Sequence, residues 1–332
     1  MGIFFGLDIG LSQVKVMQAA KESGKFKLLH FAAVKYGPNQ LVEAVKQAIK
    51  LAGIKNSAEA NIALKESDVY SRIIETPKLS ETELASSIQF EAEQYIPTDL
   101  SEIDLSYQII GGLEDALADK KTMKVLLIAT PKEKLTSLTN LIDEAGLIPM
   151  SVETELLSLK RLFGQPKKLQ LLMLFGYKTT DMIILNNGVP QFLYSMPTGG
   201  LALTRVLTAE LQLPEDQAEQ YKRTYGLLPD QLEGKVAKLL TPLIDEMVKE
   251  INKSFVFLQQ QGWHVPDQLI LTGGGAMLPG LSGYLVQKLN LEVLLGDPFE
   301  NFIKDENFTG MMNGINNTQL AVVTGLAIKG LV

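Results

Sequence analysis

The pattern that most restricts this chain occurs twice. Ile3 to Ile9 is an apolar run, Gly10-Leu11-Ser12-Gln13 turns it, Val14 to Ala19 runs back, and Phe26 to Val34 follows the Ser23-Gly24 turn. The layout returns with Leu169 to Phe175, a turn at Gly176-Tyr177-Lys178-Thr179, Thr180 to Leu185, and an Asn186-Asn187-Gly188 hairpin into Pro190 to Ser195. Apolar runs bounded by glycine turns read as strands that pair with their neighbours. Helical patterns follow both meanders. Leu41, Val45 and Ile49 share one face, with Gly53 as cap; later helices are expected over Leu201 to Leu211, Pro214 to Tyr225 and about Gly234 to Gln261. A repeated meander with helices after each copy predicts an α/β chain of two similar halves with a cleft between them.

Between the copies the pattern changes. Strands are expected at Asn61 to Leu64 and Val69 to Glu75. Ser80 and Glu83 then have the spacing of a capping box, which opens a helix running to about Tyr95 and stopping before Pro97. A strand at Ile103 to Ile110, an acidic loop at Gly111 to Lys121, a strand at Lys124 to Thr130 and a helix at Lys132 to Ala145 complete the stretch. The expected organisation is a first half over 1–76, an inserted α+β unit over 77–150, and a second half over 169–332. About 151–168 and a last helix from Thr318 would complete the first half.

Composition removes several classes of chemistry. There is no Cys, so disulfides, thiolate metal sites and cysteine nucleophiles are excluded. His30 and His264 are too few for a multi-histidine metal centre. Lys plus Arg number 31 against 38 Asp plus Glu, a net charge of −7, which argues against a nucleic-acid-wrapping protein. No stretch reaches the ~20 apolar residues of a membrane-spanning helix, and Met1 to Asp8 lacks the basic start of a secretory leader. A cytoplasmic protein is expected, peripheral to the membrane and reaching it only through a partner.

Two segments carry ligand chemistry. Leu269 to Thr272 runs into Gly273-Gly274-Gly275, followed by Met277-Leu278-Pro279-Gly280. Consecutive glycines let a ligand lie against backbone, and Pro279 opens a helix whose amides can face it. A tight strand-to-helix turn explains the triplet alone equally well. In the other segment, Asp8 ends a strand beside Gly10, placed to hold a metal through water, while the turn amides and the Ser12 hydroxyl point at phosphate oxygens. Asp-x-Gly is also ordinary turn chemistry.

In their order along the chain, these segments resemble the first phosphate loop and the adenosine motif of the actin-like ATPase superfamily. The resemblance implies a duplicated ribonuclease-H-like, two-lobed fold with ATP and Mg2+ in its cleft. It implies nucleotide contacts from Asp8, Gly10, Ser12, Gln13 and Lys15 at the first loop, and from Gly273, Gly274, Gly275 and Met277 at the adenosine motif. Gly176 and Thr179 would act at a second phosphate loop, with Gly199 and Gly200 beyond it. Ala218 to Lys222 resembles the helix that contacts ribose and adenine, giving Glu219 and Lys222; a solvated helix face is the alternative. Asp8 would hold magnesium through water. Glu153 and Glu155 take the acidic positions of the first connecting helix, where Glu153 is a candidate to assist a water, or to cap the helix. Ala321 to Ala327 resembles the second connecting helix.

Ile74-Glu75-Thr76-Pro77, Glu91 to Pro97, Ala129 to Glu133, Glu144 to Leu147 and Pro197 to Gly200 are similar, more narrowly, to the PilM family of type IV pilus assembly, with four subdomains like those of the division protein FtsA. This implies a partner, the N-terminal cytoplasmic tail of a PilN-like inner-membrane protein, in a groove between the first subdomain and the insert. Phe90, Tyr95, Ile96 and Pro97 are candidates for that surface, with packing of the helix end as the other reading. One departure matters: Leu174-Phe175-Gly176 stands where the family has Asp-x-Gly, so slow or absent hydrolysis is expected. The alternatives are an active ATPase or phosphotransferase, which needs a second cleft carboxylate, and a self-polymerising FtsA-like filament, which needs a C-terminal amphipathic helix. Homo-oligomerisation stays open.

Overall fold

The computed structural model describes residues 4–55, 57–96, 98–111 and 122–332. The chain opens with β1 (Phe5–Ile9), β2 (Gln13–Glu22) and β3 (Lys25–Lys35), then α1 (Leu41–Ala52) and β4 (Glu59–Leu64). After β5 (Tyr70–Pro77), α2 (Glu81–Glu93), β6 (Ile103–Gly111) and β7 (Thr122–Pro131), it returns through α3 (Lys132–Glu144), β8 (Ile148–Thr154) and α4 (Glu155–Phe163). One sheet has the order β3-β2-β1-β4-β8, with β1 antiparallel to β2 and parallel to β4. The second half repeats this arrangement. β9 (Leu169–Phe175), β10 (Thr180–Asn186) and β11 (Val189–Met196) form its meander; α5 (Gly200–Leu211), α6 (Glu215–Tyr225) and α7 (Lys235–Gln260) follow; β12 (Gln268–Thr272), α8 (Leu281–Leu289) and β13 (Glu292–Leu295) extend the sheet. Its order is β11-β10-β9-β12-β13, the same topology strand for strand. The duplicated two-lobed α/β expectation holds.

The insert differs from the expected span. Its sheet, β5-β7-β6, starts at Tyr70 rather than at 77, because β5 pairs with β7 along its whole length. α3, expected inside the insert, belongs to the first lobe: Ile142, Leu138 and Ala145 pack into the core of Phe5, Leu7, Val45 and Ile62. β8 likewise pairs with β4. The capping box is present, with the Glu83 amide donating to Ser80 Oγ and the Ser80 amide to Glu83 Oε2. It starts α2, whose Leu84, Ile88 and Ala92 fill the insert's own core. The helix ends at Glu93, two residues earlier than expected. Of the acidic loop expected at 111–121, all but Gly111 lies outside the described residues.

The two lobes exchange helices. α4 leaves the first lobe and lays Leu156, Leu159 and Phe163 on the inner face of the second sheet, against Leu172, Leu174, Ile183 and Leu185. The last helix, α10 (Ala321–Ala327), leaves the second lobe and covers the inner face of the first sheet at β1. Before it, Phe299, Phe302 and Phe308, the last on α9 (Glu306–Met312), pack on Phe26 and Leu28 of β3. α4 and α10 cross where a Cβ on Gly325 would stand 2.4 Å from the Ser158 carbonyl oxygen; on β1, one on Gly6 would stand 2.6 Å from the Val323 carbonyl oxygen of α10. Glu153, Arg161 and Lys329 fasten the crossing. Arg161 donates through both terminal nitrogens to the Glu153 carboxylate and to the Gly325 carbonyl oxygen, and Lys329 adds an ion pair at 2.8 Å.

This contact geometry sets the sign of a glycine substitution. In a helix interior Gly→Ala normally stabilises by about 0.5–1 kcal/mol. That is the result expected for Gly283→Ala in α8, where an added Cβ meets nothing within 4 Å. Gly325→Ala should instead destabilise by roughly 1–3 kcal/mol through overpacking at the crossing, as read by urea denaturation of the two variants beside the parent chain.

Candidate functional site

The two hairpin turns are built alike. Gly10 turns β1 into β2 with its Cβ position 2.9 Å from the Gln13 carbonyl oxygen; Gly176 turns β9 into β10 with its own 3.0 Å from the Thr179 carbonyl oxygen. Neither turn accepts a side chain at its first glycine. At the first turn Asp8, 4% exposed, pairs with Lys15 Nζ at 2.7 Å, and the Tyr36 hydroxyl donates to the Gly10 carbonyl oxygen at 2.6 Å. At the second, Leu174 lies in the apolar cluster under α4 and offers no polar atom.

The remaining expected residues of the second lobe form one connected set. The Gly200 and Leu201 amides donate to the Gly176 and Tyr177 carbonyl oxygens, and a Cβ on Gly199 would strike the 177–179 backbone. The first amides of α5 therefore serve the turn, and Gly199 and Gly200 act as its support rather than as an open anion cradle. Lys222 Nζ donates to the Gly200 carbonyl oxygen, Thr204 Oγ1 and Glu219 Oε2, which uses its three protons. Burial works against the Glu219 charge, but Lys222, Thr204 and Arg223 hold its carboxyl down to about 2. Glu219 and Lys222 thus tie α6 to α5. The α6 end in turn meets the glycine segment: the Leu227 amide donates to the Pro279 carbonyl oxygen.

The glycine triplet divides into two roles. Gly273, at φ +89°, and Gly275 pass the backbone and ring of Phe175 so closely that a Cβ on either would lie 2.4–2.5 Å from it. Gly274 has open space above it, and Met277 beside it is 52% exposed. Gly273 also exchanges hydrogen bonds with Thr318, three residues before α10 begins. Through α10 the triplet is connected to β1 and hence to the neighbourhood of Asp8.

Acids from both lobes face the junction. Glu155 is the first residue of α4; burial, then the charges of Asp8, Asp181 and Glu66, push its carboxyl well above the ordinary range, with Lys65 opposing. Asp181, on β10, is 1% exposed; burial raises it to about 6 although Thr179 Oγ1 donates to Oδ2 and the Ser195 hydroxyl helps, and Oδ1 has no hydrogen-bond partner. Glu153 corrects the sequence reading. It sits on β8 before the helix, not on the helix, and its carboxylate is gripped by Ser158, Arg161 and Lys329 at the lobe crossing. Burial disfavours its charge, yet those cations hold it below the usual carboxylate range. An acid so occupied fastens the lobe crossing; Glu155, at the start of α4, is the acid set beside the charges of Asp8 and Asp181.

With this geometry in place, the comparisons are specific. The family model for type IV pilus assembly protein PilM matches residues 6–331. The chain belongs to this family. Its fold is that of a PilM-PilN type IV pilus biogenesis complex, with TM-score 0.84 at 23% identity over 100% of this chain and 99% of that one. MreB5 of Spiroplasma citri bound to AMPPNP, with TM-score 0.51 at 12% identity over 99% of this chain and 96% of that one, shares the actin-like fold. Among curated relatives, FtsA of Borreliella burgdorferi is 27% identical over 40% of this chain but only 37% of its own length, and FtsA of Streptococcus pneumoniae is 20% identical over 98% and 84%.

Members of this family are expected to hold a nucleotide and magnesium, and the residues present fit both. The open backbone over Gly274, the two turns and the bare Asp181 oxygen offer space and hard oxygen donors; magnesium characteristically takes one or two carboxylates plus phosphates. Among the described residues no three acids already converge as a metal cage. The expected partner surface divides. Phe90 is 72% exposed on α2, Tyr95 stacks under Arg72 at 3.9 Å, Ile96 is buried in the insert core, and Pro97 lies outside the described residues. Tyr95 and Ile96 also wall a cavity of about 230 Å³ with Glu66, Arg72, Tyr194 and Ser195. It lies between the insert and β11 of the second lobe, not between the insert and the first.

Glu66 gives this region a pH signature. Burial, opposed by Thr154 and Ser71, lifts its carboxyl from 4.5 to about 7. The native state then keeps a proton that the unfolded chain releases, so the unfolding free energy falls as pH rises from about 4.5 to about 7. Thermal melts across that window should show a shallower decline for Glu66→Gln; identical slopes would remove Glu66 as a contributor.

Proposed function

We propose that this chain is an ATP-binding scaffold of a type IV pilus inner-membrane platform, or of a related secretion or DNA-uptake machine. In this reading ATP with Mg2+ lies between the lobes, against Asp8, Gly10, Ser12, Gln13 and Lys15 on one side and Gly176, Thr179, Gly274 and Met277 on the other. The insert binds the cytoplasmic tail of a PilN-like membrane protein, and the membrane is reached through that partner. One observation carries the proposal: Thr318, just before α10, exchanges hydrogen bonds with Gly273 of the glycine segment, and α10 lies on β1, which leads through Asp8 into the first turn, so the two motifs are joined across the lobes. The solved PilM-PilN complex and nucleotide-bound MreB5 support the partner and the ligand respectively.

The crossing of α4 and α10 gives the scaffold a means of coupling. Glu155 begins α4, and the other face of that helix rests on the second sheet, so a ligand that changes the lobe angle moves the insert's neighbour β11 as well. Coupling requires that nucleotide bind the two lobe arrangements with different affinity. Turnover is slow in this reading, because Leu174 has no group to orient a water. Calorimetry on the full chain with a synthetic tail peptide, with and without MgATP, tests the proposal. The expected result is nucleotide binding and a roughly fivefold or larger change in peptide affinity. Equal peptide affinity in both conditions overturns the coupling, and absence of any ATP binding overturns the whole reading.

A further inference from the structure

The insert is spliced into the first lobe but fastened to the second. Its chain leaves the first lobe after β4 and returns at Pro131, directly into α3. Ile74, Leu84, Ile88, Val125 and Leu127 belong to a core of its own, which among the described residues shares no member with the core of the first lobe. The side chains that join it to α3 are surface ones. Lys134 pairs with Asp68 at 3.2 Å, and Lys132 Nζ donates to the Ser101 carbonyl oxygen. Contacts of this exposed kind are weak.

The contacts with the second lobe are of another kind. β5, an edge of the insert's sheet, lies beside β11, an edge of the second sheet, and β6 and the Glu66–Asp68 turn also meet β11. Lys124 of β7 donates to Gln191 Oε1 at 2.5 Å and stands 4.8 Å from the centre of the Trp263 ring, which packs against the second lobe's core. A part-buried ammonium over an indole face is held more firmly than an exposed ion pair. At the other end of the contact Tyr95 and Leu127 face Leu193 and Tyr194 across the cavity already described. We infer that the insert travels with the second lobe as one body, so that a change of lobe angle alters the gap between the insert and the first lobe. Lys124, Gln191 and Trp263 then carry the nucleotide signal to the groove where the tail is read. This rests on the scaffold reading above and deepens it by naming the moving part and the residues that hold it.

The chain has no Cys, so introduced cysteines take spin labels at chosen sites. Leu51→Cys on α1, Glu81→Cys on α2 and Val286→Cys on α8 are exposed positions on the first lobe, the insert and the second lobe. Pairwise distances in the full chain are measured by double electron–electron resonance with and without MgATP. The 51–286 distance should shift with nucleotide, 51–81 should shift with it, and 81–286 should stay constant. A constant 51–81 distance beside a moving 81–286 distance overturns this inference alone and leaves the scaffold reading standing. A constant 51–286 distance means that the lobes do not move, which overturns the coupling and this inference with it. The double variant Gln191→Ala with Trp263→Ala tests the fastening. It should keep MgATP affinity and nucleotide-free peptide affinity within about twofold of the parent, while the nucleotide effect on peptide affinity falls from roughly fivefold to less than about twofold. Undiminished coupling in that variant, folded by its thermal melt, overturns the assignment of these residues.

Discussion

The close approach of α4 and α10 at Gly325 is the constraint on which the rest of the molecule depends. Each helix starts in one lobe and buries its apolar face on the other lobe's sheet. Neither inner face is covered by its own lobe. The lobes hold together because each supplies the other's missing layer, and the crossing distance requires that one helix carry no side chain at the contact. The Glu153–Arg161–Lys329 cluster then locks the crossing at one end. A buried ion pair adds little net stability over apolar packing but is costly to break. Its fitting role here is to fix where the two helices meet.

Much of this was legible in the sequence. The two meanders, the capping box at Ser80 and Glu83, the Gly53 cap of α1 and the Asn187-Gly188 hairpin all express local rules that tertiary context did not override. What the sequence hid is long-range. That α3 packs with the first lobe depends on which face meets which core, and its amphipathic pattern suits either. Glu153 and Glu155 are two residues apart, and a continuing strand would put both on one face. The strand ends between them, so Glu153 turns to Arg161 and Lys329 at the lobe crossing while Glu155 opens α4.

The glycine triplet shows a related limit. The sequence suggests three positions open to a ligand, but two of them are taken up by Phe175, a fully buried ring directly before the second turn. An aromatic residue there requires the facing strand end to lose its side chains. Gly199 similarly marks a backbone crowding that only coordinates reveal.

The helix exchange has a consequence for biosynthesis. Asn61 of β4 donates to the Leu326 carbonyl oxygen, a bond spanning 265 positions, and β1 waits for the same helix. The first sheet emerges from the ribosome with one apolar face uncovered and must remain so until the second lobe and α10 have been made. Such delayed closure raises contact order and slows folding, and it leaves a sticky surface on the nascent chain for as long as translation continues. The polar side chains on that face, Asp8, Lys15 and Asn61, lie on the exposed side of the unfinished sheet. They would keep it wetted while the protein is incomplete, and in the finished molecule Asp8 pairs with Lys15 and Asn61 binds the arriving helix.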